Sequence, residues 1–313
     1  MTMLGRAIRG LAVAACALAL AACGGDDTPG SRVIATPTPT PTPTTSVIDF
    51  DLRAGFEAES ENTAISVSNF RPAADGIRRF DTATRVDGVT AVSLRYSPAR
   101  LTLAFPDLSS PVQFASTAFG TTSDTRLVVG RTDFGAVLDI PFDHVLRASY
   151  TSEENASRNG AAGIVETRRT AFFFNPVTTQ SDLAETITYA GDTSVSGGVP
   201  GDTRLSTQRL SARTVNLQLR PGGRPSDDDR IAATISISES QGITTPRSVS
   251  IPFDTAISAN GSFAQEIDHR GYTGTVYGSV AGPDRQEVLI LFAVSGEDLG
   301  QTVIYVGNFI GSR

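Results

Sequence analysis

From Val47 onward the chain alternates apolar and polar positions with a period of two. Val215, Leu217 and Leu219 alternate with Thr214, Asn216 and Gln218. Ala233, Ile235 and Ile237 alternate with Thr234, Ser236 and Ser238, and Val249, Ile251 and Phe253 repeat the pattern. Runs of this kind, bounded by Gly, Pro, Asp and Ser clusters, predict half-buried antiparallel strands, because successive side chains of a strand point to opposite faces. Val288–Val294 and Thr302–Val306 are more continuously apolar, which predicts strands covered on both faces. Phe172-Phe173-Phe174 reads the same way, as a strand buried on two sides where two parts of the body meet; the other reading is an apolar contact patch. Amphipathic helical periodicity is scarce. The predicted class is mainly β, antiparallel.

The N-terminus follows different rules. Arg6 and Arg9 precede an uncharged stretch, Gly10–Ala22, of about 13 residues. A membrane-spanning helix needs about 20. A basic start, a short Leu/Ala run and small residues before a cut are the secretory pattern. Leu20-Ala21-Ala22-Cys23 then reads as a lipobox, with 1–22 as signal peptide and Cys23 as the lipidated first residue of the mature chain. Cys16 also follows two alanines, but cutting there leaves too short an apolar region. Residues 23–46 form a predicted tether: Gly24–Arg32 is polar, and Thr36–Thr45 holds four consecutive Thr-Pro pairs. Alternating proline favours an extended spacer reaching roughly 30 Å, at about 3 Å per residue.

Composition narrows the function classes. The net charge is −7 and the sequence pI about 4.9, which disfavours a nucleic-acid footprint. Every basic side chain is arginine; lysine is absent, which excludes lysine-dependent phosphate-loop and Schiff-base chemistry. The two cysteines, Cys16 and Cys23, leave the exported body without a disulfide or a thiol. With no Trp, 7% aromatic residues and Ser, Thr, Asn and Gln on the polar faces, the strands do not suit a transmembrane barrel, which needs aromatic girdles and an apolar outer band. They suit a water-soluble barrel filled by Val, Ile, Leu and Phe.

The C-terminal half carries a family resemblance. Thr178 followed by Ser181-Asp182-Leu183-Ala184-Glu185-Thr186-Ile187-Thr188-Tyr189-Ala190-Gly191 resembles the start of the barrel domain in transferrin-binding protein B-like lipoproteins. Gly271-Tyr272-Thr273-Gly274-Thr275-Val276-Tyr277-Gly278-Ser279, then Glu287-Val288, resembles that family's late strand pair, and Gly307-Asn308-Phe309 its closing strand. Leu289-Ile290-Leu291-Phe292 departs from the Gly-Gly-like step usual there. Residues 178–313 resemble the family well and 47–176 only loosely. The resemblance implies a β-rich handle over 47–184, followed over 185–313 by a single small eight-stranded soluble barrel on a lipid anchor. It also implies an outer-membrane, cell-surface position, with a periplasm-facing one as the variant. Host-protein, iron or haem capture, with a protein or haem-type ligand or a cognate outer-membrane receptor as partner, is the role implied; a structural or assembly envelope lipoprotein is the alternative.

Candidate chemistry is thin. His144 and His269 each follow an aspartate, Asp143 and Asp268, but strand neighbours face opposite ways, so neither pair is a ready acid–base dyad. Asp227-Asp228-Asp229 lacks the alternation and closing Glu of a calcium loop and reads as a solvated hairpin turn. Ile-Pro-Phe-Asp recurs at Ile140 and Ile251, a candidate repeated strand edge. Tyr272 and Tyr277 should face opposite sides of one strand. Arg78-Arg79 and Arg168-Arg169 read as solvated pairs, or as contacts for an anionic partner. The expectation is a non-enzymatic binding lipoprotein with no catalytic residue, no cofactor and no metal, Cys23 being its one assigned site.

Overall fold

Antiparallel strands, most of them alternating in burial, make up most of the described body. The computed structural model describes residues 47–130, 134–179, 182–204, 206–223, 228–240, 247–298 and 300–313. The signal segment, Cys23 and the Thr-Pro tether lie outside them, as do Ser181 and Asp227. The first strands are β1 Phe56–Glu61, β2 Ala64–Pro72, β3 Arg79–Val86, β4 Val89–Tyr96, β5 Ala99–Ala104 and β6 Val112–Ala115. They continue as β7 Phe119–Thr122, β8 Arg126–Gly130, β9 Gly135–Phe142, β10 Val145–Arg158 and β11 Ala161–Phe174. The second half holds β12 Ile187–Thr188, β13 Ala190–Gly198, β14 Leu210–Arg220, β15 Arg230–Glu239 and β16 Arg247–Ala256. It ends with β17 Ser262–His269, β18 Tyr272–Ala281, β19 Glu287–Asp298 and β20 Gln301–Ser312. Helix is confined to single turns at Ser116–Ala118 and Ser206–Arg209 among the described residues.

Four antiparallel sheets result, ordered β1-β4-β5-β6, β3-β2-β11-β10-β9-β8-β7, β12-β14-β15-β16 and β13-β20-β19-β18-β17. The first two enclose a core built around Leu94, Leu101, Leu138, Leu146 and Phe173. The last two enclose another, around Ile231, Ile235, Ile251, Phe292 and Tyr305. A third cluster joins Ile65, Phe80 and Phe172 of the N-terminal half to Leu289, Leu291, Val306 and Ile310 of the C-terminal half. The continuous apolar runs are thereby explained. In β19, Ile290 and Phe292 enter the C-terminal core while Leu289 and Leu291 face the N-terminal half. Phe172 and Phe173 split the same way across β11, both fully buried, so the aromatic triplet is a doubly covered strand and not a free patch.

Two expectations need correction. The C-terminal strands do not close into one continuous hydrogen-bonded barrel. They form facing sheets of four and five strands, and the seams β13/β14 and β16/β17 have no backbone ladder among the described residues. Side chains bridge those seams: Thr193 Oγ1 lies 3.0 Å from Thr214 Oγ1, Gln265 Oε1 accepts from the Asp254 N–H at 3.0 Å, and Thr255 Oγ1 donates to the Ala264 carbonyl at 3.2 Å. The alternation Val215-Leu217-Leu219 is also interrupted. Asn216 takes a left-handed conformation (φ 55°) and the register of β14 on β15 shifts between Val215 and Gln218. This bulge turns Leu217 and Leu219 inward while Val215, of the same parity, stays half-buried on the opposite face. A bulged strand bends and twists more strongly, and this bulge follows directly on Thr214, which bridges to Thr193 of β13.

Glycine matters where chains crowd. A Cβ on Gly278 would meet the Phe263 ring at 2.3 Å and the Leu289 carbonyl at 2.4 Å, so the Gly-rich strand β18 approaches its neighbours as only glycine permits.

Candidate binding surface

The outward face of the first sheet is an open trough. Edge strand β1 turns Phe56, Ala58 and Ser60 inward and Glu57, Glu59 and Glu61 outward. The strands beside it present short side chains: Ala91 and Ser93 from β4, Thr102 and Ala104 from β5. Register places Glu57, Ser93, Thr102 and Gln113 in one cross-strand row, with Arg95 and Arg100 paired one row away. Small residues at the centre and long charged ones at the margin leave a cavity of about 580 Å³. Exposed Val89 stands on the same face at one end. Glu57 Oε1 accepts from Arg95 Nε at 3.0 Å and from the Ser93 hydroxyl at 3.1 Å. These contacts, the Arg95 hydrogen bond foremost, hold the Glu57 carboxyl below its ordinary range, so the margin carries charge of both signs at neutral pH. The Glu57-x-Glu59-x-Glu61 spacing was the available signal for this surface, since it is an acidic stripe on one side of a strand.

A buried polar cluster closes one end of the C-terminal core. Glu239 and Arg247 are register partners at the ends of β15 and β16. The Glu239 side chain is fully buried and receives Arg209 Nη1 at 2.6 Å, Arg204 Nη2 at 3.3 Å, Arg247 Nη1 at 3.5 Å and the Tyr305 hydroxyl at 3.2 Å. Asp202 pairs with Arg204, its Oδ1 accepting from Nε at 2.9 Å, and is held below the ordinary carboxylate value by Arg204 and Arg209 against the opposing effect of burial. Arg247 Nε lies 3.2 Å from Asp298 Oδ2 but is not aligned to hydrogen-bond to it. Burial, then the Glu239 charge, pushes the Tyr305 phenol well up. Among the described residues the charges balance here, three arginines against Glu239, Asp202 and Asp298.

The predicted chemistry residues scatter. His144 sits half-buried on the turn between β9 and β10, and His269 half-buried at the end of β17. His144 belongs to the junction of the two halves: its N–H donates to Glu287 Oε2 at 3.0 Å, its carbonyl accepts from the Asn175 N–H at 3.0 Å, and its Nδ1 is 3.4 Å from Asn175 Nδ2. Its ring covers Gly282 (φ 81°), where a Cβ would lie 2.5 Å from it. Glu287 is 4% exposed, and burial, with the charge of Asp143, raises its pKa to about 7 against the pull of backbone N–H donors.

Of the aspartate triplet, Asp229 is tied into its hairpin, Oδ1 accepting from the Gly222 N–H at 3.2 Å. Ile251 points into the C-terminal core from mid-strand, whereas Ile140 lies near the end of β9, so the repeated tetrapeptide marks no common edge. Tyr272 faces the C-terminal core and Tyr277 the other side, under the Arg85 guanidinium at 5.8 Å. The arginine pairs are not simply solvated. Arg169 is buried against Asp107 at 2.7 Å, Arg78 pairs with Glu166, and Arg79 with Asp75.

No protein-family model matches the chain, and no curated protein matches it. Solved structures resemble it loosely. One is isotype 1 transferrin binding protein B from serogroup B Neisseria meningitidis, at 12% identity over 80% of this chain and 44% of that one, with a TM-score of 0.34. Another is a protein of unknown function from Nostoc punctiforme, at 14% identity over 84% and 97%, with a TM-score of 0.26. A third is a candidate outer membrane protein from Bacteroides fragilis, at 15% identity over 83% and 98%, with a TM-score of 0.23. The chain spans less than half of the transferrin-binding chain. With every TM-score this low, the reading of function rests on the chain's own geometry.

Proposed function

We propose that the chain is a membrane-anchored bacterial surface lipoprotein acting as a non-enzymatic binding module. The observation that carries this reading is the open trough on the β1-β4-β5-β6 sheet: small side chains at its floor, charges of both signs at its margin and no covering element among the described residues. A surface with these properties suits a protein partner, for which charged rims set orientation and association rate. Lipid on Cys23 and the Thr-Pro spacer would hold this body off the outer membrane, facing the cell exterior. The division into a handle over 47–184 and a barrel-like part over 185–313 belongs to the same reading, supported by the two separate apolar cores. Capture of a host protein, iron or haem is the role the family resemblance adds.

Two experiments test it. Replacing Ala91 by Trp fills the trough from an outward position, so stability should change by no more than about 0.5 kcal/mol. Pull-downs from intact cells grown with host serum should recover a soluble partner with wild type and lose most of it with Ala91→Trp. Equal recovery, or recovery of envelope components alone, sinks the reading, the latter in favour of a structural role. Cys23→Ser should move the protein from the membrane fraction to the soluble one; unchanged fractionation would remove the anchor from the proposal.

A further inference from the structure

The seven-stranded sheet carries an arginine cluster that its own carboxylates do not neutralise. Four adjacent strands contribute one face. Register aligns Arg126 of β8, Asp139 of β9 and Arg147 of β10 in a single row. Arg168 of β11 pairs with Thr151, four residues from Arg147, so it shares that face. Between the arginines lie Ser149 and Thr170, whose hydroxyls are 3.2 Å apart. Asp139 is claimed twice: Arg126 Nη1 donates to Oδ1 at 3.0 Å and Arg147 Nη2 to Oδ2 at 3.1 Å. The other nearby carboxylate, Glu166, is taken by Arg78. Arg168 therefore has no carboxylate partner among the described residues, although it remains solvent-accessible. Packing around its head group, then the charge of Arg147, lowers its pKa from the usual arginine value. Among the described residues three cations face one carboxylate here, on a protein whose net charge is −7.

We propose that Arg126, Arg147 and Arg168 form a site for a doubly charged phosphate group, either free or carried on a lipid headgroup. Guanidinium forks match phosphate oxygens in pairs, and the two charges left over beside Asp139 equal those of a phosphate dianion. A monocarboxylate would leave one of them unmatched. The buried Ser149 and Thr170 hydroxyls, paired with each other, keep the floor between the forks polar. The site is separate from the trough and does not depend on the function proposed for it.

Titration of the intact protein with inorganic phosphate, at constant ionic strength set with chloride, should raise its Tm in a saturable way. Arg168→Ala and Arg147→Ala should each weaken apparent phosphate affinity about 10- to 100-fold, as expected for losing a charged hydrogen-bond donor. Arg168→Lys should recover part of it, since charge returns without the fork. Arg53→Ala, on an exposed arginine paired with Asp124, serves as a control and should titrate as wild type. Circular dichroism checks that each variant folds, and the readout is the phosphate-dependent shift, not the starting Tm. No saturable shift in wild type, or the same shift in Arg168→Ala, overturns the site. Phosphatidylcholine vesicles with and without phosphatidic acid separate the sources: Arg168-dependent binding to the acidic vesicles alone assigns the headgroup, and its absence assigns free phosphate.

Discussion

Glu239→Ala is expected to destabilise the protein by about 3–5 kcal/mol, the range for removing one partner from a buried ion pair. The substitution takes away the acceptor shared by Arg209, Arg204, Arg247 and Tyr305, and leaves Asp202 and Asp298 to face three arginines, two of them buried, so that one positive charge is uncompensated. In a body of this size each kcal/mol corresponds to roughly 2–4 °C, so Tm should fall by about 10 °C. Urea unfolding would give the free energy directly. Glu239→Gln should lose less, because an amide oxygen still accepts from Arg209. A loss under about 1 kcal/mol for the alanine variant would show that water reaches the cluster and solvates the arginines.

Glu287 is expected to make stability depend on pH in the opposite sense from most carboxylates. Its folded pKa is about 7 against an ordinary 4.5, so folding favours the protonated form. The stability it contributes is complete below pH 4.5 and is lost as pH rises through 7. The full difference is about 3 kcal/mol, since one pKa unit is worth about 1.4 kcal/mol. Other carboxylates titrate too, so the measurement is the stability of Glu287→Gln minus that of wild type. Gln keeps an oxygen for the His144 N–H and never ionises. The difference should grow by roughly 2–3 kcal/mol in favour of the variant between pH 5 and pH 8. A flat difference would mean that the His144 and Asp143 N–H groups fully offset burial.

Much of this was legible in the chain. The Ala233-Ile235-Ile237 alternation, carried one step further at the same parity, lands on Glu239; the Val249-Ile251-Phe253 run, carried one step back, lands on Arg247. Both are buried, so periodicity alone places an acid and a base inside the C-terminal core. The Phe triplet gave its two-sided burial in the same way. Partner identity was not legible, because it depends on contacts between distant residues: Glu287 meets a main-chain N–H 143 positions earlier. The bulge at Asn216 was hidden because Thr214–Leu219 looks regular, and only the pairing with β15 reveals the extra residue. Parity put Arg168 and Arg169 on opposite faces but could not say that Asp107 waits on one side while Asp139 and Glu166, on the other, are taken by Arg126, Arg147 and Arg78.

The apolar cluster shared by the two halves bears on how the chain can be made. Residues 64–86 and 145–174 supply one side of it, and β19 and β20, the last two strands, supply the other. A polypeptide emerging N-terminus first, from a ribosome or through a translocation channel, presents Phe80 and Phe172 long before Leu289 or Ile310 exists to cover them. Strand β13 likewise waits for β20, its only ladder partner among the described residues. The first half must therefore pass through synthesis with a greasy flank open to its surroundings, a state prone to stick. Chains truncated before residue 287 are expected to keep that flank open and to aggregate, for want of the strands that cover it.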